Sequence, residues 1–128
     1  MIEPRWLQVN AVLAIHKRQL AEHGGMAGIR DAGLLDSALA RPRNLFAYGQ
    51  PPPDFAALAA AYAYGLAKNH PFVDGNKRTA YVVCRTFLRL NGHDFEATDI
   101  EKYQTFIRLA DGSMSEHELA DWLRQHST

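Results

Sequence analysis

The chain has 128 residues, 47% hydrophobic and 22% charged, which is the make-up of an ordinary globular protein and excludes a disordered one. That length suits one domain, residues 1–128, able to bury roughly two thirds of the surface its unfolded form exposes. Fourteen basic and fourteen acidic residues cancel, so the field that drives sequence-independent nucleic-acid binding by counterion release is missing, and no direct nucleic-acid binding by the chain alone is expected.

No apolar run approaches the ~18 residues that span a bilayer. The start, "MIEPRWLQVN", lacks the basic-then-apolar order of a signal peptide. A cytoplasmic protein without a membrane partner is the expectation. The lone cysteine, Cys84, rules out an internal disulfide, and its apolar neighbours predict a buried small hydrophobe.

In chain order the pattern is helical almost throughout. Trp6, Val9, Leu13 and Leu20, with Val12 and Ile15 beside them, predict a helix over about 5–22, closed by "HGG". "GIRDAGLLDSALARP" reads as a loop and a short helix that Pro42 breaks. "NLFAYGQPPPD" reads as neither helix nor core, a stiff extended segment or flap. Asp54 is placed to cap the next helix, "FAALAAAYAYGLAKN", which must end near Asn69 because residues before a proline avoid the helical region. A central helix is expected from Asn76 to Leu90, stopped by "NG". "HDFEAT" suits a turn with a strand fragment. Thr98 with Glu101, and Ser115 with Glu118, have capping-box spacing and open helices to about Ala110 and Gln125. The expected fold is all-α, with about six helices and a short flap.

The chemistry concentrates in "HPFVDGNKR", residues 70–78. Phe72 is the apolar pin of a polar loop. Gly75 allows backbone conformations closed to other residues and a close ligand approach. A helix starting at Asn76 aims free N–H groups and its positive dipole end into the loop, a natural anion site. Lys77 and Arg78 add two charges there, which suits a polyphosphate. Asp74 offers one hard oxygen ligand, as magnesium takes when it also binds phosphates. His70 suits removal of a proton from an incoming hydroxyl, the usual task of a histidine base. Two cations at a helix start oppose the dipole unless an anion offsets them. His16, His23, His93, His117 and His126 lack metal-ligand spacing and read as surface or structural residues. Arg85 and Arg89 read as a solvated or salt-bridged face, and Trp6 and Trp122 as core residues.

This stretch resembles the signature of the Fic/Doc superfamily, His-Pro-Phe-x-Asp/Glu-Gly-Asn-Gly/Lys-Arg. "GLLDSALARP" before it and "FLRLNG" after it resemble the Doc, or death-on-curing, branch. The resemblance implies the compact helical fold of that family, with His70 as catalytic base, Asp74 as magnesium ligand, and Gly75, Asn76, Lys77 and Arg78 as phosphate binders for ATP. It also implies that "NLFAYGQPPPD" lies where the family's target-docking flap does. Most of the family transfers AMP to protein hydroxyls and has glycine where Lys77 stands and a second arginine where Tyr81 stands. Both departures match Doc, a kinase of a threonine in translation elongation factor Tu, although Pro71 and Gly75 follow the AMP-transferring pattern. The branch further implies a toxin held by a separate antitoxin protein. No serine or threonine has the glutamate four residues on that marks an internal inhibitory helix. The alternatives are AMP transfer on the same scaffold, or a non-enzymatic module that binds an antitoxin and regulates its operator binding. RNA cleavage lacks a basic groove and a second catalytic histidine or glutamate.

Overall fold

Six helices make up most of the chain, which the computed structural model describes from residue 2 to residue 128. They are α1 (Val9–His23), α2 (Ala32–Tyr48), α3 (Phe55–Asn69), α4 (Asn76–Leu90), α5 (Asp99–Asp111) and α6 (Glu116–Gln125). Among the described residues there is no strand, only the isolated bridges Ile29–Phe72 and Phe95–Ser127. In "HDFEAT" the strand fragment expected amounts to this single bridge residue, Phe95. No helix is long and apolar enough to cross a membrane.

The centre is α3, against which α2, α4, α5 and α6 all pack. Its alanines make this possible. Leu58 through Ala63, together with Leu66 and Ala67, are buried right around the helix, because small side chains let neighbours approach from every side. At Gly65 the approach of α2 is tight: a Cβ there would stand 3.1 Å from the Ala38 Cα and 3.2 Å from its carbonyl oxygen. Asp54 caps α3 as expected, accepting from the Ala57 N–H at 2.8 Å. Arg124 adds a two-pronged contact at 2.7 and 2.9 Å, and its hydrogen bond holds the Asp54 carboxyl below the usual range.

Pro42 does not break α2. It lies buried inside the helix, which continues to Tyr48. A proline removes one N–H and crowds the carbonyl four residues back. Here the burial of Pro42, with Leu45 and Phe46 packed on the core beyond it, outweighs that loss. "NLFAYGQPPPD" is therefore helical as far as Tyr48, and only the prolines and their flanks are irregular.

The first helix starts at Val9 rather than near residue 5. The preceding backbone is engaged elsewhere: Asn91 exchanges two hydrogen bonds with Arg5, at 2.8 and 3.0 Å, and the Tyr62 hydroxyl accepts from the Leu7 N–H at 3.0 Å. Trp6 thus reaches the core from an extended segment, packing on Phe46 and Phe87. The inward stripe of α1 is Val12, His16 and Gln19, while Val9 is exposed. Trp122 packs edge-on to Phe95, as a core residue should.

Ser115 and Glu118 form a complete capping box. Thr98 caps α5 at 3.1 Å, but Glu101 turns to the Thr98 hydroxyl and to His126 instead of closing the box. Arg85 and Arg89 both pair with Asp94, at 3.0 and 2.9 Å, as the salt-bridged reading expects. Burial pushes the Asp94 carboxyl up, but the Arg85 guanidinium, the Phe95 amide and Arg89 outweigh it and hold it at about 2. Cys84 is fully buried, and burial alone drives its thiol far above the reactive range.

Candidate active site

Between the end of α3 and the start of α4, residues 70–75 cross the floor of a cleft of about 880 Å³. His70, Asp74, Gly75, Asn76, Lys77 and Arg78 all line it, so the six candidate residues meet in one place. Gln19, Glu22 and His23 of α1 form one wall. Tyr81 of α4 and Asp99, Lys102, Tyr103, Phe106 and Ile107 of α5 form the other.

Each part of the loop has a local cause. α3 stops at Asn69, and His70 takes a left-handed conformation, φ 46° and ψ 56°. Such a conformation costs an L-residue about 1–2 kcal/mol, and it leaves the His70 side chain exposed at the cleft. Phe72 is buried to 1% exposure, the pin the sequence predicts. Gly75 caps α4 with φ 78°, a position that suits glycine. No side chain caps this helix and its first turn holds no acid. The exposed Lys77 and Arg78 therefore stand beside uncapped N–H groups, an arrangement that an anion stabilises.

Asn76 holds the loop in shape. Its side-chain oxygen accepts from the Phe72 N–H at 3.0 Å and its amide donates to the Phe72 carbonyl at 2.9 Å. That leaves its backbone N–H and one amide hydrogen for a ligand.

The Asp74 carboxylate is exposed, with one oxygen accepting from the Gly75 N–H at 2.9 Å and the other from the Met26 N–H at 3.3 Å. Gly25 makes room for it, since a Cβ there would stand 2.9 Å from Asp74 Oδ2. Each oxygen keeps a lone pair. Among the described residues no three His, Cys, Asp or Glu side chains gather into a metal cage. One carboxylate beside an uncapped helix N-terminus fits a hard cation that takes its other ligands from a bound anion and water, as magnesium does.

Two further residues, neither of them a candidate site residue in the sequence, fix the loop. Arg30 donates from Nε to the His70 carbonyl at 2.7 Å and from Nη2 to the Asn69 carbonyl at 2.8 Å, satisfying orphan groups at the end of α3. His16 is buried, the structural side of its surface-or-structural reading. Its ring stacks on Phe72 at 3.7 Å, and its Nε2 lies 2.8 Å from the Asp74 carbonyl. The signal was the spacing of Val12, His16 and Gln19, which is one helix stripe.

The segment beside the loop is residues 24–31, not "NLFAYGQPPPD". Val73 N–H donates to the Gly28 carbonyl at 3.0 Å, and Arg30 and Asp31 N–H both donate to the Pro71 carbonyl. None of residues 44–54 lines the cleft. The proline segment departs from the flap position because α2 carries the chain away from the motif before the prolines begin.

Residues 6–88 match the protein-family model described as the Fic/DOC family. A protein named Toxin Doc from Mycolicibacterium smegmatis is 48% identical over 85 residues, which cover 66% of this chain and 65% of that protein. The chain thus aligns with a little under two thirds of that relative's length. A protein named Protein kinase doc from Escherichia phage P1 is 30% identical over 122 residues, 94% of each chain.

Proposed function

The chain belongs to the Fic/DOC family, and from that premise we propose that it is a Doc-like toxin that transfers the γ-phosphate of ATP to a protein hydroxyl. A threonine of translation elongation factor Tu is the proposed acceptor and arrest of translation the outcome. The observation that carries this reading is the convergence of an exposed histidine, one carboxylate and an uncapped helix end with two cations on a single cleft. The match to a relative named as a protein kinase over 94% of both chains supports a kinase.

His70 takes the proton of the acceptor hydroxyl as its oxygen bonds to phosphorus, and the bond to the β-phosphate oxygen breaks to release ADP. The backbone N–H groups of α4, with Lys77 and Arg78, hold the phosphates and stabilise the charge that spreads over the transferred group. Asp74 holds magnesium, which neutralises phosphate charge when bound. The Lys77 side chain fills space that glycine leaves open in AMP-transferring relatives, so the nucleotide lies with its γ-phosphate toward His70. Residues 24–31, bonded along the loop, take the target-docking role expected of the flap. A separate antitoxin that orders on binding keeps the toxin in check; such coupled folding wraps a large surface. The proposed setting is the cytoplasm.

The test combines the protein, magnesium and elongation factor Tu with ATP labelled on either the α- or the γ-phosphate. Transfer from the γ position alone is expected, and Lys77→Gly should slow it or bring in α-label. Transfer of α-label by the unaltered protein would assign it to AMP transfer instead. ATP binding with no transfer to that factor or to any lysate protein would leave an antitoxin-binding regulator as the surviving reading.

A further inference from the structure

His16 lies on α1, 58 residues from the motif in sequence, yet its ring is in van der Waals contact with the motif loop. A carbonyl can only accept, so the 2.8 Å contact requires the proton on Nε2, which donates to the Asp74 oxygen. The imidazole lies nearly parallel to Phe72, 8° between planes, and packs close to Gly75: a Cβ there would be in ordinary contact with His16 Cδ2, at 3.6 Å. The residue is buried, 6% exposed, so its orientation is set by packing.

The Asp74 carbonyl and the Gly75 N–H are two ends of one planar peptide group. Fixing the carbonyl therefore fixes the direction of the N–H. That same N–H donates to Asp74 Oδ1 at 2.9 Å and so sets the rotamer of the carboxylate. A rigid path thus runs from His16 through one peptide plane to the carboxylate of the proposed metal ligand. We propose that His16 is a positioning residue that aims the Asp74 carboxylate at the cation, without touching substrate or metal itself. This rests on the reading of Asp74 as a metal ligand. Residues behind a metal ligand commonly change metal affinity on the order of 10–100-fold.

Three substitutions separate positioning from packing. His16→Phe keeps an aromatic stack on Phe72 and removes the donor. His16→Gln keeps a donor at a reach close to that of Nε2, and His16→Asn draws it back toward Nδ1. The readouts are the melting temperature, the Gly75 and Met26 amide-proton shifts, and binding of Mn2+ with ADP followed by paramagnetic resonance. With elongation factor Tu and labelled ATP, the magnesium activation constant is separated from kcat.

His16→Phe should melt close to the unaltered protein, move the Gly75 amide upfield and weaken metal binding about tenfold or more. His16→Gln should recover most of both changes and His16→Asn should not. An unmoved Gly75 amide with unaltered metal binding in His16→Phe would overturn the proposal. So would losses in all three variants that simply follow melting temperature. If the unaltered protein transfers no label, the reaction assigned above fails, while the amide shifts and metal binding still decide the role of His16.

Discussion

His70 combines a catalytic assignment with a backbone conformation that its side chain disfavours. If the histidine is kept for chemistry, replacing it should cost transfer but not stability. His70→Ala and His70→Gly should both lose labelled transfer. His70→Gly should melt no lower than His70→Ala, because glycine relieves a strain of about 1–2 kcal/mol against an entropic cost of about 0.5–1 kcal/mol. Residual transfer by either variant, or a much lower melting point for the glycine variant, would contradict this. The candidates His70, Asp74, Gly75, Asn76, Lys77 and Arg78 were legible as a group because they all fall within residues 70–78, and the structure brings them to one cleft. The roles of His16 and Arg30 were not, since their partners lie 58 and 40 residues away, and the stripe that marks His16 as inward does not say what it meets.

Among the elements, the caps were read well and the proline was not. Asp54, Thr98 and Ser115 each accept from the N–H three residues on, a local bond that sequence spacing predicts. Pro42 broke a local rule that burial overrode, so extending α2 to Tyr48 required tertiary information. The start of α1 failed for the same reason, since Asn91 and Tyr62 hold the backbone before Val9. The meeting of α2 and α3 makes a sharp prediction. Gly65→Ala would put a methyl group 3.1–3.2 Å from the Cα, Cβ and carbonyl oxygen of Ala38. A helix backbone yields little, so the variant should lose about 1–3 kcal/mol, as overpacked cores do. Urea unfolding measures it, and an unchanged midpoint would mean that the two helices slide apart freely.

Across the whole molecule, the all-helical architecture followed from apolar periodicity, and the cleft did not. Its walls come from residues 19–23 of α1 and 99–107 of α5, which only the fold brings to the motif. The family match ends at residue 88, before the α5 wall begins. The helix at the centre has a kinetic consequence. An amide inside α3 exchanges with solvent only when surrounding helices separate, so exchange there reports global opening rather than fraying. Deuterium uptake should therefore be slowest over Ala59–Leu66 and fastest over the exposed segment 24–30; equal rates in the two would refute a central, last-opening α3. His70 follows directly from the end of that helix. The proposed base is thus tethered to the helix expected to open last, and it should keep its place when the outer helices separate from it.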